Sequence, residues 1–280
     1  MTLIGVGLRY TPKMDVQATH TSGTVDVDGL PIFYEALGDG TPIMLLHGGM
    51  GTNALWSKQF TGLSPHRRII APERRGHGHT PDRDGPLTYH GMADETVGFL
   101  QTVGLGPIDM VGWSDGGMVA FLVAVHHPEL VRTLTLLGCG YSSDGYVPGA
   151  LEELLTTEAH DESLATLSAL YCAVSPDGPE HLAVAWDKVR TLWAEPFDWS
   201  GDLAKVQAPT LVVVGDDDFI SVPHANGFAQ ALAHGQLAVI PGTSHASPIE
   251  KPDLFNRLVL DFTDQPLVTE TLMPVRRRAN

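Results

Sequence analysis

Six short apolar runs, each closed by Gly, Pro or a polar turn, constrain the fold of this chain most. They lie at residues 43–46, 69–71, 108–111, 133–137, 210–214 and 237–240. Their apolar residues are continuous rather than alternating, the pattern of strands buried on both faces of a parallel sheet. Helical patterns fall between several of them, at 92–103, 117–125, 223–233 and 252–262. The predicted architecture is α/β: a mostly parallel, doubly wound sheet with helices on both faces. Ahead of it, 24–27 and 32–36 flank Asp28-Gly29, a type I′ hairpin signal.

One region breaks this rhythm. From 141 to 205 the strand pattern stops, and helical stretches at 149–155, 163–172 and 179–193 replace it. The expected division is a core of 1–140 and 206–280 with a helical cap at 141–205. Residues 1–22 have no period and read as an arm. The basic run Arg276 to Arg278 reads as a solvated tail.

Charge and cysteine content narrow the function classes. With 17 basic and 33 acidic side chains the formal net charge is −16, which argues against a partner bound by neutralising phosphates. The expectation is a small-molecule substrate and no nucleic acid. No apolar run reaches the roughly 18 residues a membrane helix needs, so no membrane partner is expected. Cys139 and Cys172 cannot build a disulfide framework and read as two small buried residues in a reducing, cytoplasmic protein. At 280 residues the chain buries roughly three quarters of its unfolded surface, so no metal staple is needed. Oligomeric state is not legible.

The sharpest chemical signal is Gly112-Trp113-Ser114-Asp115-Gly116-Gly117, between an apolar run and an Ala/Val-rich helical pattern. Strand, tight turn and helix is the context in which a G-x-S-x-G serine projects above a sheet edge as a nucleophile. A second signal, His47-Gly48-Gly49-Met50-Gly51, follows the earlier run at 43–46. Acyl transfer needs two donors aimed at an oxyanion. The expected pair is the backbone N–H of Asp115 and that of Gly49, with Met50 as the runner-up. His47 reads as a brace for its loop.

With Arg75-Gly76-His77-Gly78, Gly215-Asp216-Asp217-Asp218 and Gly242-Thr243-Ser244-His245 added, the sequence resembles the α/β-hydrolase fold family from about residue 24 to 264. The resemblance implies a Ser, acid, His order along the chain, hydrolysis without a cofactor, and a cap inserted after the sixth strand. It implies Ser114 as nucleophile and His245 as base. Counting three residues from Gly215 implies Asp218 as the acid; the spacing to Pro223 leaves Asp217 open. Neither H-E-x-x-H nor a Cys/His cluster occurs, so no metal site is expected.

The cap should choose the substrate. Residues 144–205 hold 12 acidic side chains against Lys188, Arg190 and Lys205. That charge predicts a preference for neutral substrates, relieved by salt. Trp113, Trp186, Met50 and Arg190 are the candidate substrate-binding residues. The leading reading is a serine hydrolase of carboxylic esters or lactones. A carbon–carbon hydrolase of vinylogous diketones comes next, with Arg190 supplying a cation, although Ala246 stands where those relatives commonly carry Trp. A cofactor-independent oxygenase and a non-catalytic ligand-binding protein also fit the resemblance. Dehalogenases and epoxide hydrolases need an Asp nucleophile, which Ser114 replaces.

Overall fold

The computed structural model describes residues 20–268 and 271–273. Most of the expected arm and the basic run at 276–278 lie outside them. Eight strands form one sheet: β1 (Thr21–Val27), β2 (Leu30–Leu37), β3 (Pro42–Leu46), β4 (Arg68–Pro72), β5 (Ile108–Trp113), β6 (Val131–Leu137), β7 (Thr210–Asp217) and β8 (Gly235–Ser244). Their order across the sheet is β1-β2-β4-β3-β5-β6-β7-β8. β1 and β2 pair antiparallel, β2 meets β4 antiparallel, and every pairing from β4 to β8 is parallel. Asp28 and Gly29 both adopt positive φ, as a type I′ turn requires.

The continuous apolar runs serve two cores at once. In β3, Ile43 and Leu45 pack with Trp56 and Phe255 on one face, while Met44 and Leu46 pack with the helix after β5 on the other. The covering helices are α1 (Ser57–Leu63), α2 (Tyr89–Val103), α3 (Asp115–His126), and, after three inserted helices, α7 (Val222–Ala231), α8 (Ser247–Glu250) and α9 (Pro252–Asp264). α2 begins where the Thr88 side chain accepts the Gly91 N–H, and it ends on left-handed Gly104.

Three boundaries differ from the sequence reading. Thr21 and Ser22, assigned to the arm, belong to β1. β7 and β8 run past their apolar residues to Asp217 and Ser244, because a ladder is held by backbone groups and does not end where hydrophobicity ends. The short helices α1 and α8 have too few turns to show a period.

Between β6 and β7 the chain forms α4 (Ala150–Thr156), α5 (Ala165–Val174) and α6 (Leu182–Ala194). α6 is tied to the loop after β4: Lys188 Nζ lies 2.5 Å and His181 Nε2 3.0 Å from Asp82 Oδ2. Burial works against ionisation of Asp82, but these two donors outweigh it and hold its carboxyl below the usual range. No helix among the described residues is long and apolar enough to cross a membrane.

Candidate active site

The strand order reverses at β3, which has β4 on one side and β5 on the other. Loops leaving β3 and β5 therefore meet beyond the carboxyl ends of the strands, where open α/β sheets form their crevice. Ser114 leaves β5 and begins α3 with φ 56° and ψ −122°. A non-glycine residue in such a region costs about 1–3 kcal/mol, borne by the surrounding structure. The flanking glycines are required by contact: a Cβ on Gly112 would lie 2.3 Å from the Gly116 carbonyl oxygen, and one on Gly116 2.1 Å from that of Leu46.

The ends of β7 and β8 bring up Asp218 and His245, the candidate acid and base. His245 Nδ1 lies 2.7 Å from Asp218 Oδ1. The Asp218 carboxylate is fully buried and also accepts the Ile220 N–H at 3.2 Å and the Gly215 N–H at 3.4 Å. Burial opposes its ionisation. The hydrogen bond and charge of His245, with the two amides, outweigh that and hold the carboxyl below the usual range. A carboxylate only accepts, so Nδ1 carries the proton and Nε2 is the nitrogen left to receive one. Asp217 is exposed, and Asp216 accepts the Gly242 N–H of β8 at 2.6 Å. The His245 backbone is pinned where Trp113 Nε1 donates to its carbonyl at 2.9 Å, and Phe219 lies against its ring at 4.7 Å between centroids.

The loop after β3 is held from behind. The Gly48 carbonyl accepts from Gly51 N at 3.1 Å, His47 Nδ1 at 2.8 Å and Arg74 Nη2 at 2.9 Å. His47 Nε2 accepts the Arg74 N–H at 3.2 Å, which assigns the proton to Nδ1. His47 is thus the brace its sequence position implies. Burial, then Arg74 and His77, push its pKa well down, so it stays neutral. Burial and then Arg74 likewise push His77 down to about 3. In a planar trans peptide the C=O and the following N–H point opposite ways. With Gly48 C=O fastened to Arg74, the Gly49 N–H faces away from that cluster. The Asp115 N–H lies in the first turn of α3, where helix amides have no intrahelical acceptor and the dipole favours negative charge.

Ser114 and His245 open onto one cavity of about 390 Å³, also lined by Gly48, Gly49, Trp113, Tyr146, Trp186 and Trp193. Two expected substrate-binding residues are not there. Met50 is buried in the core, turned inward by its left-handed backbone at φ 53°. Arg190 pairs with Glu158 and Asp187, each at 3.1 Å, on the outer side of α6. The acidic residues of 144–205 do not line the cavity either. Trp56 is wholly core. Cys139 is buried as expected, but Cys172 is only half-buried.

The sequence reading did not single out Arg74, Phe219 or Tyr89, and it took Trp193 only as one of several cap aromatics; Tyr89 and Trp193 both hydrogen-bond the Asp115 carboxylate. Arg74 and Arg75 are adjacent and chemically equal, so nothing local marks which one turns inward. Among the described residues no group of three or more His, Cys, Asp or Glu could hold a metal ion.

The chain matches the model of the alpha/beta hydrolase family over residues 43–258. It is 27% identical over 260 residues to the serine hydrolase BPHL of Mus musculus, covering 86% of each chain. It is 32% identical over 249 residues to 2-hydroxymuconate semialdehyde hydrolase of Pseudomonas sp. (strain CF600), covering 80% of this chain and 87% of the relative. Among solved structures it resembles a meta-cleavage product hydrolase from Pseudomonas fluorescens IP01 (CumD) at TM-score 0.72 and 23% identity, over 88% of this chain and 97% of that one; this likeness concerns fold alone. Motif order, strand order and a family match spanning well over half its length agree, and the chain belongs to the alpha/beta hydrolase family.

Proposed function

We propose that this hydrolase cleaves a carboxylic ester or lactone of a small, neutral, largely apolar substrate through an acyl-enzyme. The observation that carries the reading is the lining of the cavity that Ser114 and His245 share. It contains no Lys, Arg, Asp or Glu. Leu55, Leu154, Leu164, Leu167, Ile220 and Ile249 complement the tryptophans.

In this mechanism His245 Nε2 takes the proton as Ser114 Oγ attacks the carbonyl carbon. The carbonyl π electrons move to oxygen, and the oxyanion accepts from the Asp115 and Gly49 amides. Collapse breaks the bond to the leaving alkoxide, which receives the proton from His245. Water then repeats the sequence on the acyl-enzyme and releases the acid. Asp218 holds the imidazole in the required tautomer and stabilises its charged form.

The carbon–carbon hydrolase alternative uses the same triad, with Arg190 as the candidate cation for a substrate carboxylate. Arg190 is engaged elsewhere, and Ala246, not an aromatic residue, follows His245 on the cavity wall. The preference for neutral substrates then has a cause other than the one read from cap charge: a carboxylate entering this lining loses water and finds hydroxyls such as those of Ser163, Thr166 and Ser244 but no Lys or Arg to pair with. Leaving a buried charge unpaired costs at least 1–3 kcal/mol, so a neutral ester should exceed its carboxylate-bearing match in kcat/KM by roughly tenfold or more. Desolvation at a wall without Lys, Arg, Asp or Glu is not screened, so the preference should persist at high salt. A preferred anionic ester would defeat this reading.

Gly49→Ala tests the oxyanion loop. Gly49 lacks a positive φ, so the penalty is steric: the new Cβ would lie 2.5 Å from Asp115 Oδ2 and 2.7 Å from Trp193 Cζ2. The loop must shift and misplace its amide, and loss of one aligned donor costs about 10²–10³-fold in kcat. Unchanged kcat in a folded Gly49→Ala protein would assign the second donor elsewhere.

A further inference from the structure

Asp115 carries a buried carboxylate immediately behind the proposed oxyanion hole, and the mechanism above uses only its backbone. The residue is 2% exposed and is not part of the cavity lining. Its oxygens are taken up by two uncharged donors. Tyr89 Oη, from the first turn of α2, donates to Oδ1 at 2.8 Å. Trp193 Nε1, from the last turn of α6, lies 3.0 Å from Oδ1 and 3.1 Å from Oδ2. Burial, then the Asp115 charge, raise the Tyr89 pKa well above its ordinary value, so this phenol remains a donor.

The third party is Gly49. A Cβ there would lie 2.5 Å from Asp115 Oδ2, 2.7 Å from Trp193 Cζ2 and 3.4 Å from Val189 Cγ1, so these groups crowd the position a side chain would take. Trp193 and Val189 both belong to α6, and α6 is anchored at Lys188 to Asp82 of the core. The Gly49 peptide is therefore held on two sides. Arg74 fastens the Gly48 carbonyl from within the core, while Asp115 and Trp193 press from the side of the inserted helix. Elbow, oxyanion loop and α6 meet at one carboxylate.

We infer that Trp193 is a positioning residue for the oxyanion hole: its indole N–H, locked to the Asp115 carboxylate, lets the inserted helix α6 set the direction of the Gly49 amide. The inference rests on the hydrolase reading of Ser114 and deepens it. A donor aimed where charge develops acts only in the transition state, so disturbing its aim lowers kcat and leaves ground-state binding little changed. A residue that is merely cavity wall has the opposite signature, because losing apolar contact weakens substrate binding and raises KM.

The test uses the full chain and a short neutral ester. Trp193→Phe keeps an aromatic ring against the cavity and removes the N–H. Its kcat should fall about tenfold or more with KM within roughly twofold, as expected when alignment of an oxyanion donor is lost. Tyr89→Phe removes the other donor without touching the catalytic cavity, and should lower kcat in the same way. It decides the matter should Trp193→Phe fail to fold. The rate of covalent labelling by a fluorophosphonate, whose phosphoryl oxygen occupies the same hole, should fall in step with kcat. Unchanged kcat in Trp193→Phe, or a loss expressed only in KM, overturns the inference; where Trp193→Phe does not fold, unchanged kcat in Tyr89→Phe overturns it. Ser114→Ala is assayed alongside. Turnover retained there sinks the hydrolase reading itself, whereas an inactive Ser114→Ala beside an unimpaired Trp193→Phe sinks the positioning role alone.

Discussion

Ser114→Ala is expected to abolish nearly all turnover, a loss on the order of 10⁴–10⁶-fold in kcat, while the protein remains folded. Ser114 is placed by contacts that its hydroxyl does not make. Its backbone N–H donates to the Leu137 carbonyl at 2.8 Å, and its strained φ is imposed by the crossing of β5, β3 and α3 at Gly112 and Gly116. Removing one oxygen leaves all of that intact. No second hydroxyl can take over, because the nucleophile must sit beside both His245 and the α3 amides. The measurement is kcat on the ester identified by screening, with protein freed of contaminating esterase, and fluorophosphonate labelling as a second readout. Near-native kcat, or undiminished labelling, would dismiss Ser114 as nucleophile.

Asp218→Asn should cost about 10³–10⁴-fold in kcat, because an amide facing His245 Nδ1 no longer fixes the tautomer that leaves Nε2 free, nor stabilises the imidazolium. Asp217→Asn should stay within roughly a factor of two, as surface substitutions away from special contacts usually do. The contrast is sharp because the residues are neighbours of one chemical type. Asp218 is buried on His245 at 2.7 Å, and Asp217 faces solvent at the end of β7. The same pair makes a prediction for acid stability. The Asp218 carboxyl is held below its ordinary value, so its contribution is complete above the unfolded value of about 3.9 and is lost as pH falls through the folded one. Acid unfolding followed by circular dichroism should therefore begin at higher pH for a variant that lacks this carboxylate's pairing. A larger kcat loss in Asp217→Asn than in Asp218→Asn would move the acid by one residue.

Much of the fold was legible because its signals are local. A continuous apolar run announces a strand buried on both faces, and Asp28-Gly29 tolerates the positive φ of a tight hairpin, whatever the rest of the chain does. The same holds for the elbow, whose glycines are demanded by the crossing they occupy. Ser114 and Gly49 could thus be named from their motifs, and His245 from the family order that those motifs imply; all three line the cavity.

What local chemistry could not decide was which of several equivalent side chains turns inward. Arg74 and Arg75 are identical, yet only Arg74 reaches the Gly48 carbonyl, because the turn after β4 sends consecutive side chains in different directions. Arg190 and Trp193 share α6 three residues apart, yet Arg190 pairs with Glu158 and Asp187 while Trp193 reaches Asp115. Met50 follows Gly49 directly and points into the core instead of the cavity. Periodicity and motif spacing thus determined the sheet, the elbow and the class of chemistry, since those depend on backbone preference and burial along the chain. The tertiary structure decided which carboxylate meets His245, which arginine holds the loop and which tryptophan closes on the elbow, because those choices depend on groups brought together from strands and helices far apart in sequence.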